Sequence, residues 1–118
     1  FLPDGMIIAP CSMRTVAAIA NGISENLIHR AADVVIKENR KLVLLPREAP
    51  LSQIHLENLL KLSRLGAIIL PPDPAFYTKP ESIGDIVNHV VLKSCDQFNI
   101  KLDIGKRWDG NMNYKNKK

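Results

Sequence analysis

Leu42, Val43, Leu44 and Leu45 form an unbroken apolar run that stops at Pro46. A strand with one wet face alternates apolar and polar residues. Four apolar residues in succession need cover on both faces, the condition of a strand inside a parallel sheet flanked by helices. Pro46 removes a backbone donor and Pro50 closes the next four residues, so Arg47 and Glu48 are confined to a short, stiff loop at the carboxyl end of that strand. In an open α/β sheet this edge is where ligands bind. An arginine beside a glutamate there is able to hold an anion and move a proton; the same pair also suits a surface ion pair at a turn.

The flanking segments repeat the pattern. Residues 6–9 read as a short apolar strand, followed by Ser12 as N-cap with Thr15 in the first helical turn, and then by a helix-forming run at 16–20. Strand, tight turn and helix aim backbone N–H groups at the helix start, where an anion can bind; Ser12 capping its own helix is the alternative. Asn21-Gly22 ends that helix. Ser24 is expected to open a second one, with Glu25 in its first turn and Leu27, Ile28, Ala31, Val34 and Val35 as its buried stripe, running to about Asn39. Asp33 and Lys37 have the spacing of an ordinary i,i+4 pair.

Beyond the central run, Ser52 caps a helix whose apolar positions are Ile54, Leu56, Leu59, Leu60, Leu62 and Leu65, closed by Gly66. Residues 67–70 make another all-apolar strand. The order strand, helix pair, strand, helix, strand implies crossovers and a parallel α/β sheet. Pro71, Pro72, Pro74 and Pro80 stiffen the next loop, where Tyr77 either brings a hydroxyl and a ring face to the carboxyl rim or plugs the loop with Phe76. Ser82 and Asp85 form an S-x-x-D start for a last helix, with Ile83, Ile86, Val87, Val90, Val91 and Phe98 as its apolar face.

With 118 residues the chain suits one small domain. No apolar run approaches the roughly 20 residues that span a bilayer, and nothing at the start has the form of a signal peptide, so no membrane is expected and the cytoplasm is the default location. Cys11 and Cys95 lack a C-x-x-C partner, which argues for reduced thiols rather than a metal cluster or disulfide framework. Of the net charge of +4, much comes from Lys115, Lys117 and Lys118. The other basic residues are mixed with acids, so no nucleic acid partner is indicated, although a small phosphorylated ligand fits. The chain enters a strand almost immediately after Phe1, without an initiator methionine, as a piece of a longer chain would.

Five stretches, GMIIAPCSMRT, NLIHRAADVVIKE, LVLLPREAPLSQIHLENLL, GAIILPPDPAFYTKP and LDIGKRW, occur in the order found in the UbiX-type flavin prenyltransferases, and the chain resembles that family from Gly5 to about Trp108. The resemblance implies a three-layer flavodoxin-like or Rossmann-like parallel sheet, here its C-terminal portion. Residues 1–108 would be a flavoprotein domain incomplete at its amino end, and 109–118 a polar, flexible tail. The family's first strand, its glycine-rich phosphate loop and an early glutamate have no counterpart, so this stretch by itself is expected to be inactive.

The resemblance further implies transfer of a dimethylallyl group from dimethylallyl monophosphate to reduced FMN, in a homo-oligomer, a dodecamer, with sites at subunit interfaces. The prenylated FMN would serve a UbiD-type decarboxylase. Ser12, Met13, Arg14, Thr15 and Arg47 would contact FMN. Glu48 and Lys37 would be catalytic, while Arg30, Tyr77, Lys93 and Trp108 would bind the prenyl donor, with no metal. His29, where the family more often has a small residue, is expected on an exposed face. Two other readings are a non-catalytic flavin-delivery subunit and a related FMN-dependent cysteine decarboxylase; Arg47-Glu48 and Lys93 speak against the latter.

These residue types suit the chemistry on general grounds. Loss of phosphate from an allylic carbon creates a cation and a doubly charged leaving group, which Arg and Lys stabilise while aromatic faces shelter the cation. A carboxylate is suited to accept the proton that the flavin ring loses.

Overall fold

The structure, a computed structural model, describes residues 4–104. Its elements are strand β1 (Gly5–Cys11), helices α1 (Met13–Ala20) and α2 (Leu27–Lys37), strand β2 (Lys41–Pro46), helix α3 (Gln53–Arg64), strand β3 (Ile68–Ile69), one 3-10 turn (Phe76–Thr78) and helix α4 (Ile83–Asp96). They fall into two compact units, divided between Pro72 and Asp73. Trp108 and the expected tail at 109–118 lie outside the described residues.

The first unit is built on a parallel sheet of order β1-β2-β3, with the apolar run in the middle. Met6 lies opposite Leu42 and Ile8 opposite Leu44, while Val43 and Leu44 face Ile68 and Ile69. The last strand is shorter than the four residues expected, but Leu70 still donates its N–H to the Leu44 carbonyl at 2.8 Å. Leu42 and Leu44 join Ile8, Val16, Val35 and Leu62 in one core cluster. Val43 and Leu45, which point the other way by the period of a strand, are buried as well. Burying a side chain of this size is worth about 1.5–3 kcal/mol, so β2 anchors the unit.

Between Ile8 and Cys11 β1 carries one residue more than β2 has between Leu44 and Pro46. This irregularity lies where β1 reaches its carboxyl end, a place where bulges commonly re-aim the chain.

Helix ends in this chain are chemically explicit. Ser12, Asn26, Ser52 and Ser82 cap the four described helices, each side chain accepting the backbone N–H three residues on. At the other ends, Gly22, Asn39, Gly66 and Asn99 all have positive φ. The residue after each donates back to a carbonyl five positions earlier: Ile23 to Ala18, Arg40 to Val35, Ala67 to Leu62 and Ile100 to Cys95. This is the Schellman arrangement, which satisfies carbonyls that the helix leaves without a partner.

Several helical expectations need correcting. The second helix starts at Leu27 rather than Ser24, because Asn26 supplies the cap, and Glu25 stays outside it. Its buried residues are His29, Ala32 and Val35, whereas Leu27 is 80% exposed and Ile28 and Val34 are exposed too. The expected stripe is thus mostly on the outside, and His29, expected outside, is 4% exposed. The physical reason is that α2 is apolar around much of its circumference; the side carrying the small Ala32 packs inward. In α3 only Leu62 is fully buried, with Leu59 packed against the core, and Ile54, Leu56, Leu60 and Leu65 are exposed.

The second unit is built around α4, which buries His89, Leu92 and Ser94. The expected face is only partly covered: Ile86 and Val90 are half-buried, and Ile83, Val87 and Val91 are exposed. Ser94 is accommodated inside by donating its hydroxyl to the Val90 carbonyl at 2.9 Å.

Candidate active site

Because all three strands are parallel, their carboxyl ends share one edge, and the turns starting at Ser12, Arg47 and Pro71 leave from it. The rim inferred from sequence order is therefore present in the first unit.

At the first turn, the Ser12 hydroxyl oxygen accepts the Thr15 N–H at 3.1 Å while its own hydrogen is donated to Thr15 Oγ1 at 3.0 Å. The cap thereby holds the start of α1 open toward the rim. The N–H groups of Met13 and Arg14, in the first helical turn, have no intrahelical acceptor by geometry and carry the positive end of the helix dipole. The Met13 side chain is buried in the core, so at the rim this residue offers backbone only. Arg14 is exposed and Thr15 half-buried.

The second turn brings Arg47 and Glu48, both exposed, immediately beyond the buried Pro46. The loop is held from its far side, where the Ser52 backbone N–H donates to His55 Nδ1 at 3.1 Å and the His55 N–H donates to Ser52 Oγ at 3.1 Å. This capping box, with a histidine in the place usually taken by glutamate or glutamine, fixes where the Arg47-Glu48 loop must end. His29 does similar work in α2, its Nδ1 accepting the Glu25 N–H at 3.3 Å. Neither role was apparent in the sequence, although a histidine three residues after Asn26 or Ser52 is the available signal.

Behind the first turn lies Cys11, whose thiol is directed at the Ser12 carbonyl at 3.7 Å. Burial pushes its pKa from the ordinary 9.0 up to about 11. It is a structural thiol, since only the thiolate is a good nucleophile.

The other expected site residues fall elsewhere. Arg30 and Lys37 are exposed on α2, Lys37 in its last turn, and neither belongs to the three turns of the rim. Tyr77 and Lys93 belong to the second unit. Tyr77 is 50% exposed on the 3-10 turn, and Lys93 is exposed in the last turn of α4. The turn under Tyr77 is pinned by the Thr78 hydroxyl, which donates to the Ala75 carbonyl at 2.7 Å, and by Lys79 in the left-handed region at φ 55°. Tyr77 meets His89 edge to face, with centroids 6.0 Å apart and ring planes at 88°. Neither reading of Tyr77 made from the sequence included that neighbour.

Fitted together, the first-unit rim offers helix N–H groups, hydroxyls at Ser12 and Thr15, the guanidinium groups of Arg14 and Arg47, and one carboxylate. That set matches the needs of a phosphorylated ring system such as FMN, which requires anion neutralisation and hydrogen-bond donors at its polar edges.

Comparison with known proteins agrees with this chemistry. The family described as Flavoprotein matches residues 2–94. The chain is 62% identical over 110 residues to the flavin prenyltransferase LpdB of Lactiplantibacillus plantarum, covering 93% of this chain and 59% of that one. Among solved structures it is similar to a dodecameric FMN-dependent UbiX-like decarboxylase from Escherichia coli O157:H7, with a TM-score of 0.90 and 57% identity over 93% of this chain and 60% of the other. It is also similar to AnUbiX (PadA1) in complex with FMN and dimethylallyl pyrophosphate, with a TM-score of 0.91 and 51% identity over 93% of this chain and 58% of that one. The chain spans between about half and three fifths of the length of the curated relatives it matches.

Proposed function

The chain belongs to the Flavoprotein family, and on that footing we propose that it works as a flavin prenyltransferase, using dimethylallyl phosphate as donor and reduced FMN as acceptor. The observation that carries this reading is the rim where Ser12, Arg47 and Glu48 leave adjacent strand ends on one edge of the sheet. It is supported by relatives named for this activity and by a similar structure in complex with FMN and dimethylallyl pyrophosphate.

FMN, when bound, supplies the nucleophilic ring that receives the prenyl group. In this reading Ser12, Thr15 and the N–H groups of Met13 and Arg14 orient its polar edge, and Arg14 and Arg47 neutralise phosphate. Glu48 takes the proton released at the acceptor carbon. Tyr77 and Lys93 hold the donor phosphate, Lys93 and Arg30 offsetting the charge that builds as it departs. Trp108, which lies outside the described residues, is assigned to donor binding by the family resemblance alone. Arg30 and Lys37 serve the reaction from a neighbouring copy, because in their own chain both are off the rim; an assembly like the dodecamer of the E. coli relative provides such a neighbour. The product is passed to a UbiD-type decarboxylase. Among the described residues no helix is long and apolar enough to cross a membrane, and we place the reaction in the cytoplasm, where phosphorylated substrates are held.

The test uses a protein carrying these residues at the length of its relatives. With reduced FMN and dimethylallyl monophosphate it yields a flavin heavier by one prenyl unit in mass spectrometry. Glu48→Gln retains flavin and loses prenyl transfer by roughly 100-fold or more, the usual scale of a lost acid/base group. Unaltered turnover in that variant assigns the proton elsewhere. Flavin that keeps its original mass in the parent protein removes the prenyltransferase reading and leaves flavin delivery.

A further inference from the structure

We propose that His89 is a positioning residue for the donor, holding the Tyr77 ring in the orientation in which its phenol meets the prenyl phosphate. This rests on the reading above that Tyr77 and Lys93 bind that phosphate, and it adds a third residue that neither the sequence patterns nor the comparisons single out.

Tyr77, His89 and Lys93 all lie in the second unit. Tyr77 sits on a single turn whose backbone is fixed by the Thr78 and Lys79 hydrogen bonds to Ala75 and Phe76. A fixed backbone leaves the ring its own two torsions. His89, 8% exposed on the inner face of α4, meets the ring at 88° with centroids 6.0 Å apart. Perpendicular packing of this kind is a preferred arrangement of two π systems, so it selects one ring setting as well as adding attraction.

His89 also lies four residues before Lys93 on the same helix, and residues so spaced share one helix face. Tyr77 therefore packs on the helix that carries Lys93, one turn before it. The imidazole links the tyrosine on the loop to the helix that carries the lysine. A buried residue at this place sets the spacing between the two groups assigned to one phosphate.

The experiment compares His89→Ala, His89→Phe and Tyr77→Ala, singly and as the Tyr77→Ala/His89→Ala pair, in a protein at the length of its relatives. His89→Ala raises KM for dimethylallyl monophosphate roughly 3- to 10-fold, the scale of one aromatic pair, with FMN affinity unchanged. His89→Phe, which keeps a ring, restores most of it. The double variant is no worse than Tyr77→Ala alone, because His89 acts through Tyr77. Additive losses, or an unchanged KM in a folded His89→Ala protein, overturn the proposal. A crystal structure of His89→Ala gives a readout independent of turnover: the Tyr77 ring leaves its setting or spreads over several. If the parent protein makes no prenylated flavin, that structure still decides whether His89 positions Tyr77; an undisturbed ring rejects it.

Discussion

Cys11 shows how much a single residue's environment decides. From sequence it is a cysteine next to a candidate anion-binding turn, where a reactive thiolate is a common device. The fold instead buries it behind that turn, with its pKa pushed up to about 11 by desolvation. Since the unfolded thiol ionises near 9.0 and the folded one near 11, the unfolded chain loses its proton first as pH rises. The stability that Cys11 contributes is whole below pH 9 and is lost between 9 and 11, amounting to about 2–3 kcal/mol at the upper end. Urea midpoints measured at pH 8 and pH 10.5 should show that decline, and Cys11→Val should remove most of its slope. A thiol reagent at neutral pH should leave Cys11 unmodified in the native protein.

Among the elements, the helix ends carry the clearest message. Gly66 has a φ of 97°, and a Cβ added there meets nothing within 4 Å. The cost of Gly66→Ala is therefore conformational and not a clash, about 1–2 kcal/mol, with a smaller loss for Gly66→Asn, since asparagine tolerates the left-handed region. Denaturant unfolding checks both. Gly22 and Gly66 were legible as stops because glycine advertises a positive φ; Asn39 and Asn99 adopt the same geometry with less warning. Ser12, Ser52 and Ser82 were likewise legible as caps, whereas Ser24 was read as the start of α2 and Asn26, two residues on and chemically as good a cap, holds it instead.

For the whole molecule, the informative feature is apolar surface left outside. Leu27, Ile28 and Val34 on α2 and Ile54, Leu56 and Leu60 on α3 are exposed in the single chain. Large apolar side chains left open in one copy in this number suit an interface rather than solvent. On the proposed function, in which the protein assembles as its dodecameric relative does, neighbouring copies cover these residues. Leu27, 80% exposed, is the residue to change: Leu27→Asp should alter the stability of the folded chain by no more than about 0.5 kcal/mol while reducing the particle mass seen by light scattering. An unchanged particle would place the contact on another face.

What the sequence by itself determined is the local part of this protein: the buried strand at 42–45, the parallel order, the turns at Ser12 and Arg47, and most helix ends. Apart from the parallel order, which follows from the alternation of strands and helices, each of these rests on interactions within a few residues, such as a proline's missing donor, a serine's reach to the third N–H or a glycine's free φ. Only the tertiary structure decided which side of α2, α3 and α4 turns inward, that His29 and His89 are buried, and that Lys37 stands apart from the rim. Those outcomes depend on what each helix packs against, and a helix that is apolar around much of its surface presents more than one acceptable face until a neighbour selects it.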